Sequence, residues 1–469
     1  MTIEQIYTGC LAQGAYYIES KGEAAIIDPL RETAPYIERA QRNGARIKYV
    51  LETHFHADFV SGHVDLAKKS GATIVYGPNA NPTFNAHIAK DGEELKVGDA
   101  TIRVLHTPGH TMESTTYLLL DEAGKPGCIF TGDTLFIGDV GRPDLAQKAG
   151  TLTQEDLAGH LYDSLHDKIM PLPDDVVVYP AHGAGSACGK NMSKETADTL
   201  GHQKQVNYAL RAESREKFIA EVTEGLLPPP AYFPQNVAMN RGEIPSVDEV
   251  MKQGLTPLSP EALETVVESA GALVLDTRPP QTFKDGFIPR SINIGLKGDF
   301  APWVGTLIPD VKHTLVLVCE EGSEEEAVTR LARVGYDHVL GVLTGGIAAW
   351  KAAGKEVDTI TSIPATVFAE RMKAGGLHVV DVRKPGEYEA EHVDGAESAP
   401  LQYLNDHLAL FGDKQPHYVH CAGGYRSMVA CSILKSRGIH NVIDVAGGFN
   451  AIKGTDVRVT DFACQSKKV

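Results

Sequence analysis

From residue 273 onward the chain carries the same pattern of motifs twice. The first copy runs LVLDTRPPQTFKDGFIPRSINI, LVLVCEEGSEEEAVTRL and VLGVLTGGIAAWKAAG, and the second runs HVVDVRKPGEYEAEHVDGAESA, HYVHCAGGYRSMVACSIL and VIDVAGGFNAIKG. The offsets agree: Asp276 to Asp381 is 105 residues, while Cys319 to Cys421 and Gly345 to Gly447 are both 102. Two units of this length are too few and too long for a solenoid, so each copy must bury a core of its own. Short apolar runs alternate with helical stretches in both, which predicts a small α/β domain with a parallel sheet in each copy. The expected bounds are 245–355 and 360–469.

The remaining residues, 1–235, mix short apolar strands such as AAIIDP and YVLETH with helical stretches, and His, Asp and Gly recur at the strand ends. The polar run HQKQVNYALRAESREKFIAEVTEG is expected to be helical. The three prolines of LLPPPAYFP stop it and mark a boundary.

The segment THFHADFVSGH places His54, His56 and Asp58 in alternation just after an apolar strand, which aims several ligands into one cavity. HTPGHTMES adds His110, FTGDTLFIGD adds Asp133 and VVVYPAHGAG adds His182, each at the end of an apolar run beside a glycine turn. One such residue is ordinarily a solvated turn residue. Six at strand ends predict a metal site, with imidazole and carboxylate as the ligand set of zinc or iron.

The HxHxD, PGHT, TGD and YPAH series resembles the metallo-β-lactamase superfamily over residues 1 to about 235. The superfamily pattern ends in a further histidine, which in its dinuclear hydrolases helps to hold a second metal. Here Phe59 stands in that place and offers no lone pair. Within the superfamily, TGDTLFIGDVGRPDL is similar to persulfide dioxygenases, especially bacterial fusions with rhodanese domains. That resemblance implies one Fe(2+) per chain, with zinc as the alternative, held by His54, His110 and Asp133. His56, Asp58 and His182 then line the pocket and orient ligands and water. Arg142 becomes a candidate contact for an anionic part of the substrate, and Cys188 resembles a cysteine of the fusion proteins near the substrate entrance.

The second repeat resembles a rhodanese active-site loop, C-x4-R-S, in Cys421-Ala-Gly-Gly-Tyr-Arg-Ser. Small residues let backbone N–H groups turn inward, the following helix start adds partial positive charge, and Arg426 adds a full one. The resemblance implies that Cys421 is a catalytic nucleophile, supported by Arg426, while Asp381 and Arg383 are structural. The first repeat keeps Cys319 but lacks the Arg-Ser pair. Glu320, Glu321, Glu324, Glu325 and Glu326 crowd its loop, where they oppose a thiolate and repel sulfur anions. That copy reads as a degenerate rhodanese-like domain with a spacer or docking role. The fold class expected is therefore α/β multidomain: an αββα sandwich followed by two rhodanese-like parallel-sheet domains.

Seven cysteines, scattered and without a CxxC pair, suit neither a disulfide framework nor a zinc ribbon. Cys431 reads as core and Cys464 as uninformative. A net charge of −17 disfavours nucleic acid and anionic lipid as partners. The start lacks a basic, apolar leader, and no run approaches a membrane span, so a cytoplasmic location is expected. The leading expectation is a persulfide dioxygenase using O2 and a low-molecular-weight thiol persulfide, coupled to sulfur transfer at Cys421 with thiosulfate or sulfite. A thioester hydrolase of the glyoxalase II kind is the second reading. A sulfur-relay scaffold with a structural metal is the third. A homo-oligomer is expected from family likeness only.

Overall fold

A computed structural model of the chain describes residues 1–147, 150–412 and 414–460. Cys464 lies outside them. The residues form two compact units: 1–249 with 309–311 and 331–337, and 250–308 with 312–330 and the residues from 338 onward.

The first unit holds two six-stranded sheets. In one, Thr2–Thr8, Gln13–Ser20, Glu23–Ile27, Arg46–Leu51, Thr73–Tyr76 and His87–Ile88 lie side by side in that order. The first three pair antiparallel and the rest parallel. In the other the order is Asp198–Thr199, Val177–Pro180, Pro126–Gly132, Thr115–Leu120, Ala100–His106 and Glu94–Val97.

Strand periodicity explains the layering. Along the second strand Tyr16 and Ile18 pack with Ile102, Val104, Tyr117 and Phe130 of the opposite sheet. Their neighbours Ala15 and Tyr17 pack instead with Tyr36 and Ala40 of the helix Ala34–Arg42. On the far sheet Leu118, Leu120, Ile129 and Val178 face Ala158, Leu161 and Phe218 of the helices Gln154–Ser164 and Arg215–Thr223. Both strand faces are thus apolar, as burial on two sides requires. The result is the expected αββα sandwich.

The second unit repeats one design. Pro257–Leu258, Val339–Leu343, Leu315–Val318, Leu273–Asp276 and Ile292–Asn293 form one parallel sheet. Thr361–Pro364, Val442–Ala446, His417–His420, His378–Asp381 and Glu397–Ser398 form another in the same order. Each central strand, LVLV and HYVH, is buried along its whole length and ends at a cysteine, Cys319 or Cys421. In each copy an aspartate at a strand end takes an arginine two residues on: Asp276 with Arg278, and Asp381 with Arg383.

One expectation needs correction. The polar run expected to be a continuous helix is two helices, Leu200–Val206 and Arg215–Thr223. Asn207 breaks it: its buried amide donates to the Phe136 and Asp139 carbonyls, which its side chain reaches from an extended backbone. Ser214 then caps the second helix through the Lys217 N–H. No helix of the described residues is long and apolar enough to cross a membrane.

Candidate functional site

His54, His110, Asp133 and His182 all leave the ends of sandwich strands and meet at one edge of the two sheets. Gly132 is needed for this. Its φ is +52°, and a Cβ there would lie 2.5 Å from Thr53 Oγ1.

The donor atoms are oriented from behind. Asp28 accepts from the Thr53 N–H and from Thr53 Oγ1, both at 2.8 Å. The hydroxyl proton is thereby committed, so Thr53 Oγ1 accepts from His54 Nδ1 at 3.0 Å. His110 Nδ1 donates to the Arg142 carbonyl at 2.9 Å, since a carbonyl only accepts. Both rings therefore present a bare Nε2 inward, 3.9 Å and 3.4 Å from Asp133 Oδ2. Burial, then the neighbouring imidazoles, holds the His54 pKa well below its ordinary range, so that ring is neutral. Both oxygens of the buried Asp133 lack a hydrogen-bond partner. A buried carboxylate with orphaned oxygens facing two imidazole lone pairs is costly unless a cation sits among them. His54, His110 and Asp133 lie within mutual reach for one metal ion.

His56 is also engaged by a second pair of carboxylates. Its Nε2 lies 3.1 Å from Asp28 Oδ1 and 3.8 Å from Glu52 Oε2. Burial works against its charge, but Asp28 and Glu52 outweigh that and push its pKa up to about 9. Phe59, wholly buried, packs on the His56 ring with centroids 4.3 Å apart. His182 Nε2 sits 3.4 Å from Asp58 Oδ2 and 3.6 Å from Asp133 Oδ1. Asp133, His182 and Cys188 also come within metal-sharing distance, as do His56, Asp58 and His182. Cys188 is buried, and burial, followed by Asp58 and Asp133, drives its thiol pKa well up. Arg142 is buried too. Its guanidinium donates twice to Asp144 at 2.7 Å and to the Ala187 and Leu227 carbonyls. Its backbone N–H donates to the Cys188 carbonyl at 2.9 Å, so it ties together the loops that carry the acceptor of His110 and the Cys188 thiol.

Sequence reading missed two supports. Asp28 ends the strand run AAII and is recognisable only once folding sets it beside Thr53 and His56. Asn240 lies beyond the three prolines, on the helix Phe233–Arg241. Its amide donates to the carbonyls of His56 and Phe59, and its Oδ1 accepts from the Ser61 N–H, all at 2.8 Å. A polar residue on a weakly amphipathic helix gives no signal of that kind.

In the second unit Cys421 ends its strand, and its Sγ accepts from the Gly424 N–H at 3.1 Å. Gly424, at φ +99°, opens the helix Tyr425–Ser436. Gly448, at φ +56°, lets a neighbouring turn close on the loop: a Cβ there would lie 2.2 Å from the Cys421 carbonyl oxygen. Arg426 reaches across to Glu387, donating at 2.6 and 2.9 Å. Cys421 opens on a cavity of about 700 Å³ that Arg426 and Glu387 also line. Cys319 differs. Its thiol pKa is pushed up to about 12, by burial first; a Thr277 hydrogen bond opposes this, and Glu324 adds to it.

Residues 8–182 match the family described as Metallo-beta-lactamase superfamily, and 259–353 and 364–455 match Rhodanese-like domain. The crystal structure of a metallo-beta-lactamase from Staphylococcus aureus is 32% identical with a TM-score of 0.66, over 73% of this chain and 99% of that one. The chain belongs to the metallo-β-lactamase superfamily. Two of its relatives carry different names. The mitochondrial persulfide dioxygenase of Homo sapiens is 35% identical over 34% of this chain and 59% of its own length. The cytoplasmic hydroxyacylglutathione hydrolase of Arabidopsis thaliana is 33% identical over 37% of this chain and 65% of its own. The chain thus spans about three fifths of those two relatives, and its superfamily domain carries the His/Asp cluster fused to two rhodanese-like domains.

Proposed function

We propose that this chain is a non-haem Fe(II)-dependent persulfide dioxygenase that oxidises a low-molecular-weight thiol persulfide with O2 to sulfite and thiol, coupled to a sulfurtransferase acting through Cys421. The dioxygenase is assigned to residues 1–235, the sulfurtransferase to 360–469, and 245–355 to a rhodanese-like domain whose own cysteine is inert.

The observation that carries the reading is Phe59. A wholly buried apolar ring occupies the place of a metal-binding histidine and stacks on His56, which is itself drawn toward Asp28. The group His54, His110 and Asp133 is free of this pull, whereas His56 of the group with Asp58 and His182 is engaged by Asp28. Two imidazoles and one carboxylate are the donor set of non-haem Fe(II) oxygenases, with faces left open for O2 and a sulfur ligand. Iron, when bound there, supplies the redox chemistry that joins oxygen to the sulfane sulfur. The chain's own part is to keep His54 neutral by burial, lock both ring tautomers from behind and hold His182 and Asp58 beside the open side. At Cys421 the Gly424 N–H donates to Sγ and holds the sulfur at the mouth of the loop.

A second reading, metal-dependent thioester hydrolysis, draws on His182 lying between Asp58 and Asp133, a partial second site, and on the hydrolase among the relatives. The experiment that separates them is O2 uptake by Fe(II)-reconstituted protein with glutathione persulfide and coenzyme A persulfide, with metal content measured on the same sample. Rapid uptake that yields sulfite at one iron per chain, lost in His110→Ala, is expected. Two metals per chain with thioester cleavage and no uptake would overturn the dioxygenase.

A further inference from the structure

The cavity over Cys421 is not built by its own repeat alone. Lys384, Glu387 and Arg426 line one side, while Lys297, Asp299 and Trp303 of the preceding repeat line the other. That second wall is fixed to the Cys421 helix. The Tyr425 hydroxyl donates to the Gly295 carbonyl at 2.8 Å, and the Asn293 N–H donates to Ser432 Oγ at 2.9 Å. Arg330 grips the same loop from below, donating to the carbonyls of Leu296 and Gly298. A wall held this way is in place before any ligand arrives, so little ordering cost attends binding.

The contents of the cavity set its ligand class. About 700 Å³ is the volume of a site for a peptide-sized molecule and far exceeds what a small dianion such as thiosulfate fills. Arg426 and Glu387 are paired with each other. Lys297, Lys384 and Asp299 are joined to no ion-pair partner among the described residues. Two free ammonium groups and one free carboxylate complement a ligand with carboxylates and an ammonium of its own. Trp303 offers a flat, half-buried face for its backbone.

We infer that the first rhodanese-like repeat, whose own cysteine loop lacks the Arg-Ser pair, supplies the wall that selects the thiol carrier for Cys421: a zwitterionic, peptide-sized thiol persulfide. The inference rests on the reading of Cys421 as the sulfur carrier. In the step, the Cys421 thiolate attacks the outer sulfur of R–S–SH. A bond forms between Sγ and that sulfur, the R–S bond partner leaves as RS⁻ with the electron pair of the broken S–S bond, and the proton stays on the transferred sulfur. Charge and atoms balance with no outside oxidant or reductant.

The test is persulfidation of Cys421 in the full chain, followed by intact-protein mass spectrometry, with glutathione persulfide and thiosulfate as competing donors. Lys297→Ala and Trp303→Ala should each shift the ratio of kcat/KM values about tenfold against glutathione persulfide, chiefly through KM, as loss of one charged or aromatic contact implies. Asp299→Asn should shift it the same way, but not when the donor lacks the ammonium group. An unchanged ratio in all three variants, each with an unaltered melting curve, would overturn the wall's role. If the unsubstituted chain takes sulfur from neither donor, or Cys421→Ser takes it as well, the sulfur-carrier reading itself is wrong, a different result from an unchanged ratio.

Discussion

Replacing Phe59 by histidine is the sharpest perturbation of the metal centre. The ring is wholly buried against His56, so the exchange loses apolar burial and places imidazole nitrogens where only metal could satisfy them. In metal-free protein this should cost about 2–4 kcal/mol. For a unit of this size each kcal/mol moves Tm by about 2–4 °C, so the metal-free variant should melt roughly 4–16 °C lower. His182 already stands beside Asp58 and beside Asp133, and the new imidazole should add a donor to that partial second site. Metal held a hundredfold above the dissociation constant of that site should return about 2.7 kcal/mol, or roughly 5–11 °C. Melting curves in chelator and in excess metal, with metal counted per chain, give the answer. The expected count rises from one to two. The reasoning fails if the variant still binds one ion and metal returns no stability, or if the unsubstituted chain already binds two.

Three further outcomes are expected. With its pKa at about 12, Cys319 has a thiolate share of about 10⁻⁴ at pH 8; alkylation mapped by peptide mass spectrometry should leave it untouched there and label it only as pH rises toward 12, and labelling at pH 8 would contradict its burial. Asn240→Ala removes three buried hydrogen bonds, so urea unfolding should show a loss of about 2–4 kcal/mol and titration a weaker metal affinity; a loss under 1 kcal/mol would mean that the loop of His56 stands unaided. Gly448→Ala puts a methyl group 2.2 Å from the Cys421 carbonyl oxygen at a φ of +56°; sulfur loading of Cys421 should fall at least tenfold while the melting of the first unit is unchanged, and normal loading would show that the turn yields.

The repeat was legible because each copy must bury its own sheet. LVLV is an unbroken apolar run, HYVH is buried along its length although half of it is histidine, and both are central parallel strands ending at a cysteine. The gathering of His54, His110, Asp133 and His182 was legible for a related reason: ligands at strand ends share one edge of a sandwich. What did not show was any relation across long stretches of chain. The helix break at Asn207 depends on carbonyls of Phe136 and Asp139, some seventy residues earlier. Asp28 and Asn240 carry no motif, and their importance lies in which backbone groups they meet. The glutamates around Cys319 suggested like-charge repulsion as the main influence on its thiol. Burial is the larger cause, and of those glutamates Glu324 is the one that contributes.

Asn240 also sets a clock. Its bonds to the His56 loop span 184 and 181 positions, and the Val60 N–H waits longer still, for the carbonyl of Arg333. At translation speeds of about 5–20 residues per second, the loop leaves the ribosome on the order of ten to forty seconds before its amide clasp exists. During that interval the His56 loop lacks the clasp that fixes it, so its histidines reach their final places only late in the making of the first unit.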